Sequence, residues 1–110
     1  MSAARARGTR AETAFVDWLR QHYPHVERRA LAGNRDRGDI AGIPGCVVEV
    51  KAAKRLDLPG WLRELDDEME HDLSDVGFLA VKPVGKTRGE DYYIVCRPDV
   101  IVRLLKEAGL

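Results

Sequence analysis

The fold of this chain is decided by the stretch Asp39-Ile40-Ala41-Gly42-Ile43-Pro44-Gly45-Cys46-Val47-Val48-Glu49-Val50-Lys51. Two segments with the composition of strands, residues 39–41 and 46–51, flank a turn that contains two glycines and a proline. This pattern predicts a β-hairpin with its turn at residues 42–45. Three of the six residues in the second arm are valines, which favour strands, so we expect that arm to be the more central one.

The predicted hairpin gathers charged side chains on one face. Side chains alternate between the two faces of a strand, so Glu49 and Lys51 point the same way. Asp39 lies on the neighbouring arm and is expected to approach Glu49 to within the span of one hydrated ion. Two carboxylates suit Mg²⁺, with Mn²⁺ as a substitute, because a hard cation needs few carboxylates, keeps several waters and accepts phosphate oxygens as further ligands.

Such a charged group has a chemical and a structural interpretation. A cation held by the two acids would lower the pKa of a bound water and neutralise charge that develops on a phosphodiester. Lys51 would then orient the attacking hydroxide or stabilise the transition state. In the structural interpretation, Glu49 and Lys51 are an ion pair on an exposed strand and have no chemical role.

A third acid, Glu12, belongs to the first predicted helix. Residues 9–12 have the pattern of a capping box that begins at Thr9, and apolar residues then recur at helical spacing. At about 100° per residue, Glu12 falls between Leu19 and Val16, within the arc that turns toward the sheet. Two interpretations remain open and are compatible: Glu12 joins the charged site, or it closes the capping box on the Thr9 amide.

The remaining sequence predicts an α/β domain with a mixed sheet flanked by helices, in the order α-β-β-β-α-β-β-α. Residues 1–8 are predicted to form a flexible basic arm, and residues 9–110 a single domain. Beyond the first helix and the hairpin, the predicted elements are a strand at 26–31, a loop at 32–38, a helix at 61–73, strands at 76–81 and 92–96, and a helix at 98–108. The 61–73 helix carries one apolar stripe, formed by Leu62, Leu65, Met69 and Leu73.

Composition narrows the class of protein further. At 110 residues the chain can build one core, and no apolar run approaches the roughly 20 residues that span a bilayer. Cys46 and Cys96 lie in apolar runs and are expected to be reduced core residues of a soluble cytoplasmic protein, in the bacterial host cytoplasm if a phage encodes it. The net charge is zero, but residues 1–55 carry eleven bases and six acids, whereas residues 56–75 carry one base and eight acids.

These residues together resemble a known family. A helix acid at Glu12, then Gly38-Asp39-Ile40, then Val48-Glu49-Val50-Lys51 followed by a helix and two strands, is similar to the PD-(D/E)xK nuclease superfamily. In size and order the chain most resembles the small archaeal and phage-type Holliday junction resolvases, over nearly its whole length. Two departures are visible: Gly38 stands where the family name has proline, and the helix after Lys51 has no obvious glutamine.

The resemblance implies a restriction-endonuclease-like fold and a role for each matched residue. Asp39 and Glu49 would be metal ligands, with the Val50 carbonyl as a third. Lys51 would be the catalytic lysine, and Glu12 the acid from the helix that completes the site. The implied activity is Mg²⁺-dependent hydrolysis of phosphodiesters in branched DNA, as in DNA recombination.

Basic residues bracket the predicted site and are the expected contacts to DNA. They precede or follow its acids in the chain, and their contacts with phosphate would be independent of sequence and sensitive to salt. The alternative for each one is an ordinary solvated surface charge. The expected nucleic-acid-binding residues are Arg5, Arg7, Arg10, Arg35, Arg37, Lys54 and Arg55.

A four-way junction has two-fold symmetry, which favours a two-fold symmetric enzyme, so we expect a homodimer. The closing helix is more apolar than one buried face requires and supplies a candidate interface, although packing on the sheet is the alternative. Two other functions remain open: a flap, nicking or restriction-type nuclease with the same fold and metal, and a non-catalytic DNA-binding module. The helix residues in question are Val100, Ile101, Val102, Leu104 and Leu105.

Overall fold

The computed structural model describes residues 2–29 and 37–110. The predicted α/β class with a mixed sheet and flanking helices is confirmed. The predicted loop at 32–38 lies outside the described residues except at 37 and 38, and so do the last two residues of the strand predicted at 26–31. In chain order the elements are α1 (Ala3–Leu19), β1 (Glu27–Arg28), β2 (Ile40–Ala41), β3 (Cys46–Lys51), α2 (Leu58–Asp72), β4 (Val76–Val81), a 3₁₀ turn (Gly89–Asp91), β5 (Tyr93–Val95) and α3 (Pro98–Glu107).

The five strands form one open sheet in the order β1-β2-β3-β4-β5. The predicted hairpin is confirmed: β2 and β3 pair antiparallel, with Ile40 opposite Val48. β3 pairs parallel with β4 along all six of its residues, and the other neighbouring strands pair antiparallel. β3 therefore lies at the centre of the sheet, as its valine content predicts.

The two faces of β3 pack against different helices. Val48 and Val50 join the core under α1, together with Phe15. Val47 faces α2 and packs with Leu65. Because side chains alternate along a strand, Glu49 and Lys51 share the α2 face with Val47, as predicted.

Helix α1 begins earlier than the sequence pattern predicts. Its N-cap is Ser2, whose Oγ accepts a hydrogen bond from the Arg5 amide at 3.1 Å, so Thr9 lies inside the helix and the predicted capping box is wrong. Serine is as good an N-cap as threonine, and the alanines and arginines that follow Ser2 are strong helix formers. Residues 3–8, predicted to form an arm before the helix, belong to α1.

Helix α2 is the predicted second helix with shifted ends. Asp57 caps it by accepting a hydrogen bond from the Gly60 amide at 3.2 Å, and Pro59 stands in the first turn, where its missing N–H costs nothing. Leu73 follows the helix in a left-handed conformation, with φ of 56°, and is 91% exposed. Its predicted place in the apolar stripe is therefore wrong.

The rest of the described chain follows the predicted pattern closely. β4 has the predicted bounds, β5 is shorter by one residue at each end, and α3 begins at the predicted proline and ends one residue early. Cys46 and Cys96 are free and half-buried. Within residues 2–29 and 37–110, no helix is long and apolar enough to cross a membrane.

Candidate active site

Asp39 is held beside β3 by two hydrogen bonds to the backbone of that strand, one from its amide and one to its side chain. Its amide donates to the Val48 carbonyl at 2.9 Å, and its Oδ2 accepts the Val50 amide at 2.8 Å. The register that places Ile40 opposite Val48 places Asp39 opposite Glu49. The carboxyl group of Asp39 is therefore fixed at the edge of the central strand, where the hairpin pattern predicts it.

Gly38, which stands where the superfamily that the chain resembles has proline, has a backbone conformation that proline cannot adopt. Its φ is +95°, whereas the proline ring holds φ near −65°. A Cβ at this position would also lie 2.8 Å from Cγ1 of Val47 and 2.9 Å from the Val48 carbonyl oxygen. Only glycine both adopts this backbone conformation and lets the chain before Asp39 run this close to β3.

Glu49 is a buried acid in contact with two other acids. It is 4% exposed, and its carboxyl group interacts with the carboxyl groups of Asp39 and of Glu68 on α2. Burial raises the pKa of Glu49 far above its ordinary value, and the hydrogen bonds and negative charges of Glu68 and Asp39 raise it further. Glu49 therefore holds its proton more tightly than an ordinary glutamate does, unless a cation takes the place of that proton.

Lys51 brings a positive charge to this acidic cluster. Its Nζ lies 3.9 Å from Oε2 of Glu49 and 2.7 Å from Oε2 of Glu64, an exposed acid on α2. Burial by itself would lower the pKa of Lys51, but the Glu64 hydrogen bond and the charges of Glu49, Glu64 and Asp39 raise it above its ordinary value. Lys51 is therefore an ammonium group beside Glu49, as predicted.

Glu12 approaches the cluster from the α1 side of the sheet. Its Oε1 lies 3.5 Å from Nε of Arg28, a residue of β1. Burial raises the pKa of Glu12, and the charge of Asp39 raises it further, although Arg28 acts in the opposite direction. Glu12 is thus a neighbour of Asp39 rather than of Glu49. It does not close a capping box, because the helix is capped by Ser2, seven residues before the predicted cap at Thr9.

The chemistry of these donors fits a hard divalent cation. Carboxylate oxygens at Asp39, Glu49 and Glu68 are the ligand type that Mg²⁺ and Mn²⁺ prefer. The carbonyl of Val50 was also predicted as a ligand, and the amide of this residue donates a hydrogen bond to Asp39. Among the residues that the structure describes, no three His, Cys, Asp or Glu side chains are arranged as ligands of one metal ion.

The sequence pattern missed two residues of this site, Glu64 and Glu68. Both lie on α2, a helix whose acidity indicated a surface element with no clear place near the site. Glu68 is 4% exposed and follows Leu65, which is fully buried, by three residues. The helical wheel that placed Glu12 on the sheet side of α1 would also place Glu68 on the buried side of α2.

The predicted DNA-binding residues are mostly exposed. Arg5, Arg10, Lys54 and Arg55 are exposed, and Arg7 is half-buried. Arg37 is also exposed, and its NH1 lies 3.7 Å from Oδ1 of Asp72, so α2 neutralises part of its charge. Arg35 lies outside the described residues.

Comparisons with known proteins identify no relative for this chain. No protein-family model, no curated protein and no solved structure matches it. The geometry of the buried acids and Lys51 is therefore the basis for a functional proposal.

Proposed function

We propose that this protein is a metal-dependent endonuclease that hydrolyses phosphodiesters in branched DNA, of the Holliday junction resolvase type. One observation carries the proposal: the register of β2 and β3 places Asp39 opposite Glu49, with its carboxyl group fixed 2.8 Å from the Val50 amide, and the ammonium group of Lys51 lies 3.9 Å from Oε2 of Glu49. This is the juxtaposition on which the PD-(D/E)xK resemblance depends. The mixed sheet with helices on both faces is compatible with the restriction-endonuclease-like fold that the resemblance implies.

The burial of the acids favours a chemical role over a structural one. Removing a charge from water carries a desolvation cost of several kcal/mol, so three carboxyl groups in contact do not stabilise a fold by themselves. Apolar residues at Glu49 and Glu68 would fill the same space between β3 and α2 without that cost. A buried acid with a raised pKa on the central strand, beside a lysine, is typical of a functional site.

In this proposal Asp39 and Glu49 hold Mg²⁺ or Mn²⁺, with the Val50 carbonyl as a third ligand. When bound, the cation would acidify a water molecule and neutralise charge on the scissile phosphate. Lys51 contributes a fixed positive charge for the phosphate oxygens, and Glu64 keeps that ammonium protonated and oriented through its 2.7 Å hydrogen bond. Glu12 adds negative charge beside Asp39.

The test is cleavage of a synthetic four-way junction. We expect nicking in Mg²⁺, none in EDTA, and a loss of roughly 10²-fold or more in rate for Asp39→Asn, Glu49→Gln and Lys51→Ala. Asp67→Asn, which changes an exposed acid of α2, is the matched control and should cleave at the wild-type rate. Equal cleavage by the wild-type protein and the three site variants would contradict the proposal.

The choice of substrate is tested separately with linear duplex, flap and nicked DNA of the same sequence. A resolvase should prefer the junction strongly over linear duplex. Preference for a flap or nick would keep the fold, the metal and the site residues, and would assign a related nuclease activity.

A non-catalytic DNA-binding module is the second candidate function. It is favoured by one contact: the nearest acid to Lys51 is Glu64, at 2.7 Å, and not Glu49, at 3.9 Å. In that case the charged residues form an ion-pair network that stabilises the domain. The protein would then bind junctions without Mg²⁺-dependent cleavage, and Glu49→Gln would leave binding unchanged.

A further inference from the structure

The chain that follows β4 lies beside the backbone of Lys51. β3 and β4 are parallel, with Lys51 opposite Val81, so both strands end at the same edge of the sheet. The Lys82 amide donates a hydrogen bond to the Lys51 carbonyl at 2.8 Å. Residues 52–56 and 82–86, which we call the edge loops, therefore leave the sheet side by side, next to the candidate site.

Residues 83–86 form a tight turn with an apolar tip. The Lys86 amide donates a hydrogen bond to the Pro83 carbonyl at 3.2 Å, and Gly85 has φ of +80°, a value that glycine accommodates at the third position of a type II turn. Val84 holds the second position and is 83% exposed. A Cβ on Gly85 would meet no other described residue within 4 Å, so this side of the turn faces open space.

Both edge loops are basic. Together they contain four bases and no acid, although the whole chain has 18 of each. The Nζ of Lys82 donates to the Pro83 carbonyl at 3.4 Å, so this ammonium group lies against the turn, and Lys86 is exposed at the other end of the turn. Val84 therefore stands between two ammonium groups. The four bases are Lys54, Arg55, Lys82 and Lys86.

Leu56 adds a second apolar side chain, on the other edge loop. It is 67% exposed. The acids that come next along the chain have partners of their own: Asp57 accepts a hydrogen bond from the Gly60 amide at the start of α2, and Oε1 of Glu90 lies 2.6 Å from NH2 of Arg88. A singly exposed apolar residue is common, but here two of them project from loops whose charged residues are all positive.

We propose that the 83–86 turn is a wedge that recognises the branch point of DNA. Val84 inserts between base pairs where the helices of a junction meet, and Lys82 and Lys86 bind the flanking phosphates. An apolar tip between two ammonium groups is complementary to DNA, in which negative phosphates flank stacked bases. Apolar wedges unstack base steps, and insertion costs least where stacking is already interrupted, as at a branch. The inference rests on the proposed function, because DNA cut beside Lys51 would lie against the edge loops.

The place of the turn predicts where the strand is cut. The hydrogen bond from Lys82 to Lys51 holds their Cα atoms within about 7 Å, and two residues of chain add at most about 7 Å, so Val84 lies within about 14 Å of Lys51. Because stacked bases rise about 3.4 Å each, we expect cleavage within about four nucleotides of the branch. The cut should move with the branch when the branch is placed at another sequence.

Binding without cleavage tests the wedge directly. A four-way junction that carries the fluorescent base 2-aminopurine at its branch is saturated with protein in EDTA, with saturation followed by anisotropy. Insertion of Val84 unstacks this base, so the wild-type protein should raise its fluorescence roughly twofold or more, and a linear duplex with the same probe should show no rise. Val84→Ser should lose the rise, whereas Val84→Leu, which keeps an apolar tip, should retain it.

Cleavage in Mg²⁺ measures what the wedge contributes to the choice of substrate. Val84→Ser should lower kcat/KM on the junction by roughly tenfold and leave cleavage of linear duplex unchanged. Leu110→Ser is the matched control, because it changes an 85% exposed apolar residue that follows α3, and it should cleave the junction at the wild-type rate. Circular dichroism melting checks that each variant is folded.

The two proposals fail in different ways. If the wild-type protein cuts junctions and Val84→Ser keeps the same preference, the wedge is wrong and the nuclease function stands. If fluorescence rises in EDTA but Mg²⁺ gives no cleavage, the nuclease function is wrong and recognition of the branch stands. The wedge is also overturned by an unchanged signal at the branch with wild-type protein, by an equal loss in Leu110→Ser, or by sedimentation with anionic lipid vesicles in place of junction binding.

Discussion

At the scale of single residues, Glu49 is the most informative position in the chain. It stands on the central strand between two valines, where an apolar residue would pack without cost, yet it is buried with Asp39 and Glu68 in contact. A buried position on a central strand favours an apolar residue, and this one holds an acid. Such disagreements are expected at functional sites, where stability is given up for chemistry.

The raised pKa of Glu49 predicts how the metal-free protein responds to pH. Its folded form binds a proton more tightly than its unfolded form, so the associated stability is present below the ordinary glutamate pKa and is lost as pH rises above it. Glu49→Gln removes this dependence. We expect the variant to gain stability over wild type from pH 5 to pH 8, by at most about 1.4 kcal/mol per pH unit.

This prediction is checked by urea unfolding in EDTA at several pH values. Asp67→Asn is the control, because it also replaces one acid by its amide but at an exposed position of α2. Mg²⁺ should stabilise the wild-type protein at pH 8 by replacing protons among the acids, and should do so less for Glu49→Gln. A constant difference between Glu49→Gln and wild type at every pH would contradict the assignment of the raised pKa.

At the scale of elements, α2 links the core to the candidate site. Leu65 is fully buried against the α2 face of the sheet, one turn before Glu68 meets Glu49 and one residue after Glu64 meets Lys51. The same helix therefore fixes the packing of β3 and the positions of two acids. The sequence pattern associates the acids of α2 with a solvated surface. Two of them have other partners: Glu64 binds Lys51, and Glu68 belongs to the buried cluster.

The end of α2 gives a prediction about stability. Leu73 has φ of 56°, a conformation that costs a residue with a Cβ about 1 kcal/mol or more relative to glycine, and its side chain is 91% exposed. Leu73→Gly should therefore stabilise the protein by about 1 kcal/mol in urea unfolding. Leu73→Ala removes the same side chain and keeps the strained backbone, so a similar gain in both variants would show that side-chain exposure is the cause instead.

At the scale of the whole molecule, the charge is separated between a basic surface and an acidic helix. The acids of α2 are partly neutralised from other elements: Arg97 NH2 lies 2.9 Å from Oδ2 of Asp66, and Arg37 contacts Asp72. Arg5 and Arg10 of α1 are exposed, and so are Lys54 and Arg55 after β3. A protein with zero net charge can therefore still present a basic surface to a phosphate backbone.

In the proposed function, this separation predicts the salt dependence of junction binding. Lys54→Gln with Arg55→Gln should weaken junction binding and reduce the slope of log K against log salt by roughly 0.9 for each phosphate that is no longer neutralised. Arg20→Gln with Arg103→Gln removes the same amount of charge from positions with no assigned role in DNA binding, and should leave the slope unchanged. Fluorescence anisotropy between 50 and 200 mM salt measures both, and equal slopes for the two double variants would contradict the assigned DNA surface.

Local patterns were enough to predict much of this protein. Alternation along residues 46–51 identifies the face of Glu49 and Lys51, and the glycine and proline turn before it identifies the hairpin that brings Asp39 alongside, because both depend on neighbours in the chain. The bounds of β4 and α3 follow from the same kind of signal. Helix ends were predicted less well, since Ser2 and Thr9 are equivalent caps and only the helix formers between them favour the earlier start.

The contacts between side chains of different elements were decided only by the tertiary structure. No pattern within residues 58–72 states that Glu68 meets Glu49 or that Glu64 binds Lys51, because these contacts depend on how α2 packs against β3. The burial of Val100 and the exposure of Ile101 and Leu105 likewise depend on how α3 lies on the domain. Secondary structure is determined by interactions between near neighbours in the chain, whereas a site and an interface are determined by residues that only packing brings together.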